Sequence, residues 1–462
     1  MTGQNFYDPV LIESEHLFKF SDSIDKNIEF IFGRNKRLLQ VHTADLPAYR
    51  FVDLSRSIDK LFGEPGHFSK LETQHNEQLS DIIHNPRTEW QNRTINKAER
   101  IPFPTGPENE VFFSIDCFWL VKKPEASVPG IIRLSINRFL QTLKLEVAAD
   151  NTNIGEEVVT KIIEHSKIHS IFRSSILQLS YESGKKDDYG EVEKPPHLGV
   201  HFSPIRTVPN DDIILSKNQM DLFKRNIVDL NTRRDILKFN GVPTKRGILL
   251  HGPPGTGKTY ACRHICHQLD KVTRIFLTGE SLSNVGAVFT LARLFQPSVV
   301  FIEDADLMFA SRENNVFSVT LGELMDQMDG LRPNEEISIV MTTNAIDRIE
   351  SALKDRPGRI SQCIYMGAPD NELRRRYIAH QLKEYSTVQI DMELLVNETE
   401  SATQAFIKEW IFRAVQIACE ALKNPNEHVT LTDDHFLDAM NEMKFSQNSS
   451  EGKIIGFSLS DK

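Results

Sequence analysis

Residues 252–259 read GPPGTGKT, directly after the apolar run GILLH and directly before a helical stretch. The spacing G-x-x-x-x-G-K-[ST] between a strand and a helix constrains the fold more than any other feature of the chain. Its glycines let successive backbone N–H groups turn inward around a β-phosphate, and the positive end of the following helix faces the same anion. Lys258 is then expected to reach the β- and γ-phosphates, and the Thr259 hydroxyl to ligate Mg²⁺. The expected nucleotide-binding set is Gly252, Pro253, Pro254, Gly255, Thr256, Gly257, Lys258, Thr259 and the adjoining Tyr260, with ATP and Mg²⁺ as cofactors. A plain glycine-rich turn is the alternative, and it leaves the lysine, the threonine and the strand-to-helix context unexplained.

The surrounding pattern agrees with a parallel sheet. A helical stretch at 217–241 leads to apolar strand candidates at 247–252, 273–279, 298–304, 337–344 and 362–367, separated by helical segments. Short apolar strands alternating with helices predict a parallel sheet covered on both faces. After residue 368 the pattern is helical, at 371–385, 402–423 and 433–444. The final stretch opens as a polar tail, with KIIGF as a candidate terminal strand.

Residues 1 to about 200 read differently. The segment 112–123 alternates, with Phe113, Ile115, Cys117, Trp119 and Val121 on one side, and 131–137 and 142–147 alternate too. Residues 156–166 have helical spacing and 175–181 return to strand, an order that predicts an α+β domain. The charged stretch 182–199, containing Gly and Pro, reads as a linker, and the polar, proline-containing stretch 84–109 as loops. The expected division is an α+β domain at 1–200, a large nucleotide-binding α/β domain at 205–367, a helical domain at 368–446 and a tail at 447–462.

The strand candidate at 298–304 ends in two acids, Glu303 and Asp304. In a phosphate-loop fold this strand end neighbours the loop. The first acid helps to hold Mg²⁺, directly or through water, and the second positions or polarises the attacking water. Glu303 takes the metal position and Asp304 the water position, the reverse of the usual Asp-then-Glu order. The metal side gains a methylene, which an intervening water absorbs. The water side loses one, moving the base back by about one C–C bond while leaving a carboxylate in place. A merely solvated pair would leave the Mg²⁺ side unpaired.

Composition narrows the partners. With 54 basic and 64 acidic residues the net charge is −10, so no general basic surface for nucleic acid is present. No apolar run has the length of a membrane span, about 18–20 residues. The N-terminal stretch MTGQNFYDPVLIESEH lacks the pattern of a secretory signal, and five cysteines do not make a disulfide scaffold, which together predict a cytoplasmic protein. The run CRHICH at 262–267 invites a zinc reading, but no second cluster supplies the remaining ligands. Cys262 and Cys266 are expected instead as small apolar residues on a helix facing a sheet.

GVPTKRGILLHGPPGTGKT, PSVVFIEDADLMF, LGELMDQMDGL, MTTNAIDRIESAL and RPGR together resemble, in order, the motifs of the AAA ATPases over about residues 205–445. The Glu-Asp order and the text around the phosphate loop are similar to the branch that contains the mitochondrial Rieske-protein insertion chaperone. In that branch a transposed pair does not imply a dead site. The resemblance implies that Asn344 holds the attacking water together with Asp304. It implies that Arg356 and Arg359 are arginine fingers reaching the γ-phosphate held by a neighbouring subunit, and it leaves open which reaches further. It implies a helical lid after 368, although ETESATQAF stands where many members have a Gly-Ala-Asp-type helix start. It also implies a ring-shaped homo-oligomer, a hexamer or similar, acting on a protein target. In the stretch 277–295, Asn284-Val285-Gly286 stands where chain-threading members carry an aromatic residue. No His-Glu-x-x-His is present, so no zinc protease is attached. Three readings follow: a protein-remodelling ATPase with its target chosen by the first 200 residues, an ATP-dependent assembly switch with slow turnover, and, weakest, a nucleic-acid motor.

Overall fold

A computed structural model describes residues 23–32, 38–63, 68–72, 77–84, 99–121, 130–137, 142–182, 185–186, 192–194, 197–203, 206, 208, 213–278, 284–308, 318–332, 334–347, 360–387, 390–422, 424 and 427–445. The chain divides into two compact units, residues 1–171 with 182–200, and residues 172–181 with 201–462.

The first unit is built from α1 (Ile24–Phe32), β1 (Gln40–Pro47), α2 (Phe51–Phe62), β2 (Phe68–Glu72), α3 (Leu79–His84), β3 (Arg100–Pro104), β4 (Glu110–Ser114), β5 (Asp116–Val121), β6 (Ile131–Asn137), β7 (Thr142–Ala149) and α4 (Thr152–Ile168). Five strands form an antiparallel sheet in the order β1-β7-β6-β5-β2. All six residues of β5 are buried, because helices cover both faces. Cys117, Trp119 and Val121 join a core with Phe51, Ile58, Val158 and Ile162, whereas Phe118 and Leu120 join a second core with Ile24, Ile28, Leu79 and Ile83. The single strand expected at 112–123 is in fact two. It breaks at Ile115, where β4 leaves to pair with β3 in a separate hairpin. β3 itself lies inside the stretch read as loops. Its Pro102 and Pro104 disguise a strand, since proline lacks an N–H and is tolerated only where no ladder bond is needed. Buried charge is paired: the Arg133 guanidinium donates to both oxygens of Asp116 at 2.9 and 2.8 Å and lies 3.3 Å from Glu146.

The second unit begins with β8 (Ile176–Glu182). The chain then returns to the first unit for a small hairpin, β9 (Lys185–Lys186) and β10 (Val192–Lys194), and the start of β11 (His197–Phe202), whose end re-enters the second unit. Next come α5 (Lys217–Phe223), which runs through a π turn into α6 (Asp229–Thr232), then α7 (Arg234–Phe239), β12 (Arg246–His251), α8 (Lys258–His267), β13 (Thr273–Leu277), α9 (Val285–Leu294), β14 (Ser298–Ile302), α10 (Ser318–Asp329), β15 (Ile337–Thr343) and β16 (Gln362–Tyr365). The sheet order is β11-β8-β13-β14-β15-β12-β16, and β8, β13, β14, β15, β12 and β16 pair in parallel. This is the α/β phosphate-loop architecture the alternating pattern predicts. One element changes place. The strand expected at 175–181 within the N-terminal domain is β8, and it pairs with β13, Ile176 opposite Arg274. It covers the open edge of β13, where Arg274 N donates to Ser175 O at 2.9 Å.

One side of the sheet packs on α8 through Ile248, Leu250, Phe276, Phe301 and Val340 against Ala261, Cys262, Ile265 and Cys266. Phe276 and Phe301 stack at 4.7 Å. Cys262 and Cys266 are free thiols in this core, and burial pushes the Cys266 thiol up to about 11. Among the described residues no cluster of three or more His, Cys, Asp or Glu side chains could hold a metal. No described helix is long and apolar enough to cross a membrane.

The helical part comprises α11 (Asn371–Gln381), α12 (Met392–Glu398), α13 (Gln404–Cys419) and α14 (Asp433–Phe445), with the short parallel pair β17 (Ser386–Thr387) and β18 (Thr430–Leu431). Its core centres on Trp410, packed edge-on to Phe436 at 5.1 Å, with Ile378, Ile407 and Met440 around them. The Trp410 indole N–H donates to Phe436 O at 2.8 Å, so the ring is buried without stranding its donor. The tail at 447–462, with its KIIGF segment, lies outside the described residues.

Candidate functional site

The phosphate loop leaves the buried strand β12 and closes on α8. Gly252, Gly255 and Gly257 have φ of +152°, +80° and +84°. These values favour glycine. At two of them space adds to the restriction: a Cβ on Gly252 would stand 2.0 Å from Met366 O, and one on Gly255 would stand 2.9 Å from Ala405 Cβ. Pro253 and Pro254 lie exposed in the loop between them. The Thr256 hydroxyl donates to Pro253 O at 2.9 Å and pins the turn. Lys258 opens α8, and its ammonium donates to Gly252 O at 2.9 Å and Pro253 O at 2.8 Å, so it lies inside the curve of the loop. Burial pulls the Lys258 pKa down, and the nearby carboxylates of Asp304 and Asp306 oppose that pull. Thr259 follows on the same turn of α8, half-buried, and Tyr260 is exposed.

Lys258→Ala removes the one charge held within this loop. ATP affinity is expected to fall tenfold or more, because a lost charge-assisted contact costs about 1.5–3 kcal/mol. Equilibrium titration measures it, and wild-type affinity in the variant would rule out the loop as the phosphate site.

The acid pair is placed by strand order. β14 lies between β13 and β15, with all five of its residues buried, so its end emerges in the middle of the sheet. Glu303 N still donates to Leu277 O at 3.1 Å. Asp304 then takes a left-handed φ of +50°, a conformation Asp tolerates better than most residues. Its N–H donates to Thr342 Oγ1 at 2.9 Å. The two carboxylates meet different surroundings. Glu303 Oε1 is buried without a hydrogen-bond partner, and burial holds its carboxyl above the ordinary range, with Arg263 opposing. Asp304 Oδ1 accepts from Asn344 Nδ2 at 3.3 Å, so the structure brings together the acid and the amide that the sequence pairs.

Three features escaped the sequence. Asp306 Oδ1 accepts from Thr343 Oγ1 at 2.9 Å and from Asn344 N at 3.1 Å, tying the end of β15 to the acid turn. The only signal was a third acid in EDAD. The helical lid touches the phosphate loop directly, where Ala405 N donates to Gly255 O at 3.0 Å. A cavity of about 210 Å³ runs beside that contact, lined by Ile213–Leu215, Gly255–Gly257, Tyr260, Tyr377 and Gln404, among others. Nothing local to 213–215 marks it as a pocket wall.

Arg356 and Arg359 lie outside the described residues. So do residues 279–283, at the start of the loop discussed above. Of the following trio, Val285 is buried as the first residue of α9, and Gly286 N donates to Glu323 Oε1 at 3.0 Å.

The family described as ATPase family associated with various cellular activities (AAA) matches residues 248–368. Proteasome-activating nucleotidase of Sulfurisphaera tokodaii is 30% identical over 346 residues, 68% of this chain and 84% of that protein. The 26S proteasome regulatory subunit 8 homolog of Schizosaccharomyces pombe is 30% identical over 226 residues, 45% of this chain and 55% of that protein. The 26S proteasome regulatory subunit 4 homolog of Encephalitozoon cuniculi is 26% identical over 314 residues, 64% of this chain and 72% of that protein. These relatives, by name a proteasome-activating nucleotidase and 26S proteasome regulatory subunits, do not single out the branch of the Rieske-protein chaperone. Similarity of this extent, on a phosphate loop with a helical lid closing against it, means that the chain belongs to the AAA family and is an ATPase.

Proposed function

We propose that the chain is an ATP-driven protein-remodelling enzyme that works in the cytoplasm as a homo-oligomeric ring, a hexamer or similar, on a protein target bound by its N-terminal unit. The observation that carries this reading is the division between the two acids: Asp304 faces Asn344, and Glu303, half-buried, keeps an unpartnered Oε1 away from solvent. A hydrolysis site needs that separation, and the transposed order of the pair does not remove it.

Mg²⁺ fits the donors present. An unpartnered buried carboxylate oxygen on Glu303 and the Thr259 hydroxyl are hard oxygen donors of the kind a hydrated Mg²⁺ takes, and the ion would supply charge neutralisation to the phosphates. The protein's own groups do the rest. Lys258 and the loop N–H groups hold the β- and γ-phosphates. Asp304 and Asn344 orient a water in line with the γ-phosphate, and Asp304 takes up its proton as the water oxygen bonds to the γ-phosphorus and the bond from that phosphorus to the ADP oxygen breaks. Arg356 and Arg359 are proposed to complete the site from a neighbouring subunit. The bond between Ala405 and Gly255 supports transmission, since a shift of the loop with nucleotide state acts on the lid helix through that contact. The Glu-Asp order is shared with the Rieske-chaperone branch, and we read it here as a working variant.

The target can be caught with full-length Asp304→Asn protein loaded with ATP, compared with the same variant lacking residues 1–170. The cut must fall before β8, because removing residues 176–182 would strip a strand from the ATPase sheet. The full chain is expected to retain specific partners and the shortened chain to lose them. Equal capture by both would move recognition into the ATPase unit.

A further inference from the structure

All seven residues of β15 are buried, Thr342 among them. A hydroxyl in so dry a strand needs a partner. Thr342 Oγ1 has one, since it accepts from Asp304 N at 2.9 Å. β15 lies between β14 and β12, and Thr342 stands opposite Leu250, just before the phosphate loop. The hydroxyl is thus carried by the strand that separates the acid turn from that loop. Glu303 still follows the ladder of β13, through its bond to Leu277 O. At Asp304 the chain turns away into a φ of +50°, a conformation that costs an L residue energy unless something holds it. Two groups hold this one. The Thr342 hydroxyl takes the N–H, and Asn344 Nδ2 takes the carboxylate. Further along the same turn, Asp306 Oδ1 accepts from Thr343 Oγ1 and Asn344 N. The three consecutive residues Thr342, Thr343 and Asn344 therefore each grip the acid turn, and Thr342 grips the backbone of Asp304 itself.

We propose that Thr342 is a positioning residue for hydrolysis: its hydroxyl fixes the backbone turn from which Asp304 meets the attacking water. This rests on the reading of Asp304 as the water-side acid. Aspartate reaches about one C–C bond less far than glutamate, so its aim depends closely on where its own backbone is held. Without the hydroxyl, the Asp304 N–H is either stranded or satisfied by rotation out of the left-handed turn, and rotation carries the carboxylate with it. A displacement of about 1 Å in a group aligned on a reacting atom costs on the order of 10²-fold in rate. ATP binding depends on other contacts, the Lys258 ammonium being held by Gly252 O and Pro253 O. The loss should therefore fall on turnover and spare affinity.

The test is ATP titration and single-turnover phosphate release on full-length protein carrying Thr342→Val, which keeps the shape and removes the hydroxyl, or Thr342→Ser, which keeps the hydroxyl and removes the methyl. Thr342→Val is expected to bind ATP within about twofold of wild type and to hydrolyse it about ten- to a hundredfold more slowly. Thr342→Ser should recover all but about threefold of the wild-type rate, the hydroxyl being what matters. Thr342→Ala takes the place of the valine variant if that protein does not fold. The same substitution is then made in Asp304→Asn protein. There the carboxylate is already gone, so losing the Thr342 hydroxyl should slow the residual reaction by less than about twofold, as expected of residues that act as a unit. Wild-type turnover in Thr342→Val, a serine variant as slow as the valine one, or the full loss repeated on top of Asp304→Asn each overturns the proposal. Asp304→Asn alone separates the two layers: normal hydrolysis there defeats the reading of Asp304, whereas a block there with normal turnover in Thr342→Val defeats only the role of Thr342.

Discussion

Asp304→Asn protein is expected to bind ATP with near wild-type affinity and to hydrolyse it about 10²–10⁴-fold more slowly, the range lost with a general base. The substitution keeps the shape of the side chain and an oxygen that can still accept from Asn344 Nδ2, now 3.3 Å from Asp304 Oδ1. What it removes is the charge that polarises water. The backbone should tolerate the change, since Asn, like Asp, enters the left-handed region more readily than most residues, and φ here is +50°. Glu303→Gln should behave differently. Its carboxylate is the buried one, with Oε1 unpartnered, and its loss should raise the Mg²⁺ concentration needed for half-maximal turnover. Burial holds the Glu303 carboxyl above the usual range, so that requirement should also rise in the wild type as pH falls towards it and the carboxylate takes up a proton. Single-turnover phosphate release at saturating ATP separates the two. Normal hydrolysis by Asp304→Asn, with Glu303→Gln blocked while still holding ATP, would reverse the assignment of the pair.

Arg359→Ala or Arg356→Ala is expected to lower turnover by about 10³–10⁵, the contribution of an arginine placed on the γ-phosphate in the transition state. The expectation includes where the arginine acts. If each ATP lies at a subunit boundary, one defective protein can complement another. An Arg359→Ala subunit keeps its acid pair, and an Asp304→Asn subunit keeps its arginines. Mixing the two places competent acids beside competent fingers at some boundaries and restores part of the activity. Verified mixed oligomers without any rescue, together with wild-type turnover that does not change on dilution, would show that the arginines act within their own chain.

What could be read from the chain alone was whatever depends on near neighbours. GPPGTGKT identifies a phosphate loop because the strand before it, the glycines within it and the helix after it are contiguous. Apolar runs such as those of β12, β14 and β15 announce buried parallel strands because each is apolar at both parities, and Glu303-Asp304 announces a site because acids terminate such a run. Resemblance added Asn344, and the structure sets its side chain on Asp304.

The tertiary structure decided everything that depends on which segments meet. Period marked 175–181 as a strand but carried no information about its partner, and the open edge of β13 took it into the ATPase sheet. Alternation in β5 suggested one buried face, and a second layer of helices buried the other. Two equivalent-looking acids became unlike only when the turn at Asp304 directed one towards Asn344 and left the other under burial beside Arg263. Gln404 looked like an ordinary helix start until its neighbours came against Gly255, far away in the chain. The physical reason is the same in each case: backbone preference and hydrophobic period are properties of a few consecutive residues, whereas burial, an orphaned polar atom and a paired edge exist only once distant segments exclude water from one another.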